Sequence, residues 1–289
     1  MTWVFLALGV AVFYALQGAW TKHVAGRLPR DVITWSIFGF ALPLAAAYLA
    51  ARGLPASIEP RFWFVAAFNI TLYVVTYRLY VRALEMSEIS LIFPLLALTP
   101  ALLVPVEWLL LREAPGPAGL VGIGLVVLGV YTLNVDARVS DPLAPFKAIG
   151  RDPGARRMLA VACIWSVTAS VDRIAVHAAS PAFYGLTVVG SLSLILLPAA
   201  VRASGGVTSL FGRPKWRLMV VQGFLFATMY LLHMEAVRLT LAANVVTFKR
   251  AGTLLAVWLG AAVFGEKAAG YRAGGTIMIL SGVALLVLS

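Results

Sequence analysis

The chain has 289 residues, of which 61% are hydrophobic and only 12% are charged. A soluble domain carries roughly a quarter charged residues, so this composition excludes a water-soluble globule and implies that most of the apolar surface contacts lipid. The formal net charge is +11, but the basic residues lie between apolar runs and form no polar face. They indicate membrane topology and contact with anionic lipid headgroups, and they argue against nucleic-acid binding.

Ten apolar segments of about twenty residues follow one another along the chain, as expected for transmembrane helices. They lie at 3–22, 32–51, 62–81, 89–111, 117–135, 157–177, 182–201, 216–237, 242–264 and 269–288. A transmembrane barrel would instead show alternating strands of about ten residues. We therefore predict an all-α integral membrane protein of about ten transmembrane helices.

The two halves of the sequence resemble each other. A shift of 153 residues places Glu113 on Glu266, Gly122 on Gly275 and Tyr77 on Tyr230. We predict two five-helix repeats at 1–138 and 157–289, joined by a polar connection at 139–156. Because five is odd, the second repeat starts on the opposite side of the membrane and is inverted. Inverted repeats around a central cavity are typical of secondary transporters.

Short motifs at the ends of both halves resemble a known family. They are FKRAGT at 248–253, VFGEK at 263–267, GG at 274–275 and SGV at 281–283, echoed by LLRE at 110–113, Gly122, LGV at 128–130 and prolines 94 and 100. The chain thus resembles the EamA domain of the drug/metabolite transporter superfamily. The resemblance implies a ten-helix basket that moves small metabolites such as amino acids, sugars or nucleotide sugars. Arg112 departs from the family's usual Gly-Glu pair.

Polar and aromatic stripes occupy equivalent places in the two halves. The third segment carries Asn69, Tyr73, Tyr77 and Tyr80, and the eighth carries Gln222, Phe226, Tyr230 and His233. Their spacing keeps each stripe on one helix face. We predict that both stripes line a cavity for a small polar solute. The alternative is an interfacial belt of tyrosines, with amides that bond only to neighbouring helices.

The first and sixth segments form a second candidate wall. It consists of Tyr14, Gln17 and Thr21, with Trp165, Thr168 and Asp172 as their counterparts. Lys22, Arg173 and Asp172 lie nearer the predicted membrane edges. We expect these three to be anchors rather than substrate ligands, with gating ion pairs as the alternative.

Lys249 and Arg250 lie close to the centre of the ninth segment, where each charge costs ~2.5 to 3.5 kcal/mol. Their first-half counterparts are Leu96 and Ala97, so the repeated fold does not require the cations. We consider two roles: they bind a substrate carboxylate or phosphate, or they snorkel or pair with Glu107, Glu235 or Glu266. Asn244, on the same segment, completes the set of cavity candidates.

The acidic residues and glycines after the fourth and ninth segments favour structural roles. Glu113 and Glu266 each precede a helix, where a carboxylate can accept from free backbone N–H groups. The alternative role for these two residues is proton transfer. Gly270 and Gly274 have the GxxxG spacing that permits close helix contact. The three histidines show no metal-ligand spacing and no Walker A motif is present, so we predict no metal and no cofactor.

We expect a secondary transporter, not an enzyme, in a bacterial-type inner membrane, with export of an amino acid or another small zwitterionic or anionic solute. The alternatives are a lipid-headgroup flippase or membrane-embedded enzyme, and a scaffold without transport. The expected partners are the solute and membrane lipids, and a coupling proton and a monomeric or homodimeric state stay open.

The orientation of the chain has two conflicting indications. Fifteen Lys and Arg residues lie in the odd-numbered connections and only five in the even ones, which are Arg52, Arg61, Arg112, Arg173 and Arg238. The positive-inside rule then places both termini outside. The resembling family suggests cytoplasmic termini.

Overall fold

The computed structural model describes residues 2–24, 27–87, 95–134, 143, 146–147, 150–212, 216–252 and 272–288. Its helices are α1 (Thr2–Val24), α2 (Arg30–Gly39), α3 (Leu42–Arg52), α4 (Arg61–Met86), α5 (Thr99–Leu111), α6 (Pro117–Asn134), α7 (Pro153–Ala178), α8 (Pro181–Ser204), α9 (Val207–Phe211), α10 (Trp216–Leu239), α11 (Ala242–Ala251) and α12 (Arg272–Leu288). The predicted all-helical architecture is confirmed for these residues, whereas the count of ten membrane helices stays a prediction.

Six of the described segments are long and apolar enough to cross a membrane. They are Thr2–Thr21, Arg30–Arg52, Arg61–Tyr80, Pro153–Ala178, Pro181–Ser204 and Trp216–Leu239. Phe5, Phe64 and Leu194 are each more than 70% exposed, an arrangement that water would penalise and lipid would not. The described part of the chain is therefore the body of an integral membrane protein.

The second predicted segment is broken into two helices. Helix α2 ends at Gly39 and α3 begins at Leu42, followed at once by Pro43. Pro43 has no N–H to donate to the carbonyl four residues earlier, so the hydrogen-bond ladder is interrupted. Helix α10 approaches this break closely, because a Cβ on Gly223 would lie 2.5 Å from Phe40.

The two halves of the molecule pack on each other in a reciprocal way. Helix α1 packs against α10, and its repeat counterpart α7 packs against α4, which is the counterpart of α10. Helices at equivalent positions also pair directly: α2 with α8, α5 with α11 and α6 with α12. Such an exchange of partners is expected when two similar bundles are related by an approximate twofold axis.

Helices α6 and α12 meet through glycines. A Cβ on Gly282 would lie 2.5 Å from the Gly122 carbonyl oxygen, and a Cβ on Gly129 would lie 2.7 Å from that of Gly275. These two contacts show that the helices run antiparallel. The backbones approach so closely only because glycine has no side chain.

Gly274 does not have the role that its spacing suggested. A Cβ built there would meet nothing within 4 Å, and the residue is exposed. The expectation of close helix contact at Gly274 is therefore wrong, because the contact face of α12 carries Gly275 and Gly282. Gly270, Glu266 and the rest of 253–271 lie outside the described residues.

This difference provides a matched test on one helix. Gly282→Ala should lower the melting temperature of the detergent-purified protein by several degrees, because the added methyl group overlaps a backbone oxygen and overpacking costs ~1 to 3 kcal/mol. Gly274→Ala should leave the melting temperature unchanged or raise it slightly. Equal melting temperatures for the two variants would contradict the glycine contact.

Candidate functional site

A buried carboxylate lies where four helices meet. The Oδ1 atom of Asp172 accepts hydrogen bonds from Asn69 Nδ2 at 2.8 Å and from the Tyr184 hydroxyl at 2.6 Å, and Oδ2 accepts from the Tyr73 hydroxyl at 2.6 Å. The Nε2 atom of His233 is 3.9 Å from Oδ2. We call these five residues the carboxylate cluster.

The carboxylate cluster joins the two halves. Asn69 and Tyr73 come from α4 in the first half, while Asp172, Tyr184 and His233 come from α7, α8 and α10 in the second. Asp172 is 1% exposed, and an ionised carboxylate so deep in the protein is stable only when it is paired or hydrogen-bonded. The three neutral donors fill that requirement.

Asp172 is the main correction to the predicted site. The expectation that it anchors the helix at a membrane edge is wrong, because its side chain points into the protein and contacts α4 and α8. Tyr184 was missed altogether. Its position close to the start of α8 resembles that of an interfacial tyrosine, and no periodic pattern in the sequence links it to Asp172.

The cations of α11 form a second group, the cation cluster, with Tyr14, Thr99 and Trp165. Arg250 donates to the Tyr14 hydroxyl at 2.7 Å and to Thr99 Oγ1 at 3.2 Å. Its guanidinium carbon is 5.2 Å from the Trp165 ring centre, and Lys249 Nζ is 5.3 Å from that of Tyr14. Both distances suit cation–π attraction.

Arg250 does not snorkel, because it is only 3% exposed. Lys249, in contrast, is partly buried. The hydroxyl and ring partners of both cations come from α1, α5 and α7, so the cluster also spans the two halves. The cation cluster lies at α1 and α7, the first helices of the two repeats, which also carry the predicted second wall.

Helix α7 connects the two clusters. Trp165 and Asp172 are seven residues apart, which is two turns or about 10 Å along the helix. Between them, the Thr168 carbonyl oxygen accepts from Asn69 Nδ2 at 3.2 Å. Lys249 interacts electrostatically with both Asp172 and His233. A basic and an acidic residue are therefore close enough in the protein interior to influence each other.

Aromatic rings form a wall beside the carboxylate cluster. Phe226 and Tyr230 stack at 5.4 Å with an interplanar angle of 13°. The Phe38 ring lies edge-on to Phe226 at 5.0 Å and to Tyr77 at 4.9 Å. The two predicted stripes thus face the interior, as their spacing indicated, and each is in contact with the other half of the molecule.

The sequence model of the EamA-like transporter family matches residues 1–135 and again 153–288, which together cover nearly the whole chain in two copies. The chain belongs to the EamA-like transporter family. The predicted two-repeat architecture and the resemblance to drug/metabolite transporters are confirmed by this match. A membrane transporter is therefore the general class of this protein.

Comparisons of structures and of curated sequences add little to this assignment. A solved crystal structure of another protein covers 99% of this chain and 97% of its own, with a TM-score of 0.74 and 19% sequence identity. At that identity the likeness shows the fold alone. No match was found among curated proteins.

The remaining candidate residues of this EamA-like chain fall into two places. Gln222 is fully buried, and its Nε2 donates to Thr21 Oγ1 on α1 at 2.7 Å, one turn from the partly buried Gln17. Asn244 donates instead to Thr240 and lines a cavity of about 290 Å³ with Trp3 and Leu286. Asn244 thus lines a cavity that contains no residue of either cluster.

Glu107 organises the helix that carries the cations. It is fully buried on α5 and accepts from the backbone N–H groups of Ala242 at 2.7 Å and Ala243 at 3.0 Å. These groups begin α11, so the carboxylate also faces the positive end of the helix dipole. Arg173 Nη1 lies 3.5 Å away. Glu107 therefore joins the first half to two helices of the second.

The proposed pairing of Glu107 or Glu235 with the cations of α11 is wrong. Glu107 pairs with Arg173, and Glu235 contacts Tyr48, Arg52 and Arg238. Arg173 forms the ion pair that was the alternative to an anchor, since it also contacts Glu113 at 2.5 Å. The carboxylate of Glu113 therefore serves Arg173 and not the start of α6.

Removal of the Glu107 side chain should destabilise the protein strongly. In Glu107→Ala, the N–H groups of Ala242 and Ala243 lose their acceptor inside the protein, and Arg173 loses its buried partner. We expect a loss of about 3 kcal/mol, measured by denaturation of the detergent-solubilised protein.

Glu113→Ala is the matched control, because its side chain is 48% exposed. A surface ion pair contributes less than about 1 kcal/mol, so this variant should unfold almost like the wild type. Equal losses in the two variants would show that burial and helix capping by Glu107 do not matter.

Proposed function

We propose that this protein is a secondary transporter that moves a small carboxylate-bearing metabolite across the membrane by alternating access. The favoured substrates are amino acids and other small zwitterionic or anionic solutes, and the favoured direction is export. The family provides the general class, and the cation cluster supports the substrate class. The proposal is therefore testable at a small number of named side chains.

The observation that carries the proposal is the environment of Lys249. None of the acidic residues that the structure describes has a side-chain oxygen within 4.0 Å of the Lys249 ammonium group. A cation at this depth is costly, and the repeat counterpart of Lys249 is the buried apolar Leu96. A substrate carboxylate would supply the missing partner.

The surroundings of Lys249 also suit a small organic solute. The rings of Tyr14 and Trp165 lie beside the cations, and the stacked rings of Phe226 and Tyr230 lie on the neighbouring helix face. Binding sites for small molecules combine such apolar walls with a few polar groups that fix orientation. Tyr77 and Gln222 belong to the same inward faces.

The packing of the helices supports alternating access. Each half presents its first helix to the third full-length helix of the other, and α6 and α12 run antiparallel. Two similar bundles of opposite direction can exchange conformations, which opens a site between them to one side and then to the other. Both clusters lie at the contacts that would change.

Transport in proteoliposomes tests the cation cluster directly. Lys249→Ala should reduce counterflow of a labelled amino-acid mixture at least tenfold, because loss of a charge-assisted hydrogen bond of ~1.5 to 3 kcal/mol weakens substrate binding by about that factor or more. Lys249→Arg should retain part of the activity, since the charge is kept.

Arg202→Ala is the control, because Arg202 is an exposed cation near the end of α8. It should transport like the wild type. Unchanged counterflow and unchanged concentration dependence in folded Lys249→Ala would rule out substrate binding by this cation.

We further propose that the protein resides in a bacterial-type inner membrane with its odd-numbered connections in the cytoplasm. The positive charges at those connections support this orientation. Alkaline phosphatase fused after Ser289 should then be active, because that enzyme works only outside the cytoplasm, and a fluorescent protein fused there should be dark. The opposite pattern would place the termini inside.

A further inference from the structure

The carboxylate cluster is not explained by the binding of a substrate carboxylate. Asp172 repels that group, yet it is a buried acidic residue at the contact between the halves. Its close contacts within the described residues are neutral: one amide, two phenol hydroxyls and an imidazole that is charged only when protonated. A purely structural role would be filled more cheaply by an uncharged side chain.

We propose that Asp172 binds and releases the proton that drives transport. This inference rests on the proposed secondary transport, and it assigns the coupling ion to one residue. A proton adds to one carboxyl oxygen and removes its negative charge, and release of the proton restores it. Nothing else is consumed, because the proton gradient across the membrane is the energy source.

The partners of Asp172 are suited to both protonation states. A phenol hydroxyl is both donor and acceptor, so Tyr73 and Tyr184 can donate to the carboxylate or accept from the carboxylic acid. The amide of Asn69 can also serve either protonation state, because it has both a donor and an acceptor. Its Nδ2 donates to Asp172, while its Oδ1 is fully buried and has no hydrogen-bond partner among the described residues. A half-turn of the amide exchanges donor and acceptor.

His233 lies beside the carboxylate without a close hydrogen bond to it. Its Nε2 is 3.9 Å from Asp172 Oδ2, and its Nδ1 is buried without a hydrogen-bond partner in the described part of the chain. The imidazole is therefore a neutral neighbour of the proposed proton site.

The titratable groups around Asp172 come from every helix packed against it. They are Tyr73 and Tyr77 on α4, Tyr184 on α8, Tyr230 and His233 on α10, and Lys249 on α11. Helix α5 also packs against α7, but its acidic residue, Glu107, contacts Arg173. Lys249 is thus the basic residue in this set, and it belongs to the cation cluster.

Coupling follows from the electrostatic interaction of Asp172 with Lys249, which belongs to the cation cluster. The negative charge of ionised Asp172 partly compensates that of Lys249, and protonation removes this charge. Each change in the protonation of Asp172 therefore changes the electrostatic field at the proposed substrate site. The same proton also changes the hydrogen bonds that connect α4 to α7 and α8, where the two halves meet.

The first test measures proton binding without any substrate. Infrared difference spectra of the purified protein between acidic and alkaline pH should show the carbonyl band of a protonated carboxyl group. Because other carboxyl groups also contribute, the expected result is one component of this band that Asp172→Asn loses. Asp31→Asn, in which an exposed carboxylate is changed, should keep that component. If the wild type and Asp172→Asn give the same carboxyl bands, the proposal is wrong, whatever the protein transports.

The second test measures coupling with a labelled amino-acid mixture in proteoliposomes. Asp172→Asn should lose accumulation driven by a pH gradient while it still exchanges substrate in counterflow, because exchange needs no net proton movement. Loss of both activities in a folded variant would make Asp172 a substrate ligand, and retention of both would make it structural. Absence of counterflow from the wild type would contradict the proposed function alone, and the infrared result would still decide the proton site.

Tyr73→Phe is the variant to use if Asp172→Asn does not fold, because it keeps the carboxyl group of Asp172. It removes one donor to the ionised form, so protonation becomes easier. The pH at which gradient-driven transport is half-maximal should rise by about one unit, and Tyr184→Phe should act in the same direction. An unchanged midpoint in both variants would overturn the proposal.

Discussion

The absence of water around the helices is the constraint on which the rest of the structure depends. In lipid, a polar side chain can be satisfied only by another part of the protein. Asp172, Glu107 and Arg250 are all nearly or fully buried, and each has hydrogen-bond partners on other helices. These few side chains fix the rotations of the helices more strictly than apolar packing can, because dispersion contacts have little directionality.

The two cations of α11 have no charged counterparts in the first half, so the repeated fold does not require them. Leu96 and Ala97, the first-half counterparts of the two cations of α11, are buried among apolar side chains. The same repeat unit is therefore stable without charge at these positions. Because only the second half carries the cations, the interior has a polarity that a symmetric pair of bundles would lack.

Most of the architecture could be predicted from the sequence, because segment length and helical periodicity are local properties. Asn69 and Gln222 were expected to face the interior, and both are fully buried. The partners of these residues could not be predicted, since the contact of Asn69 with Asp172 spans 103 positions of sequence. Asp172 itself was judged by its distance from the helix end, which does not reveal that α4 and α8 enclose it.

Contacts at helix ends were also impossible to predict from the sequence. Glu107 lies near the end of α5 and resembles an interfacial carboxylate in the sequence, but the start of α11 approaches it from the other repeat. A free helix N-terminus needs acceptors, and α11 follows α10 with so few residues between them that no side chain of its own fills that need. The first half therefore supplies the carboxylate. This contact sets the position of α11, and with it the depth at which Lys249 and Arg250 enter the protein. A substitution at Glu107 would thus affect the cation cluster two helical turns away.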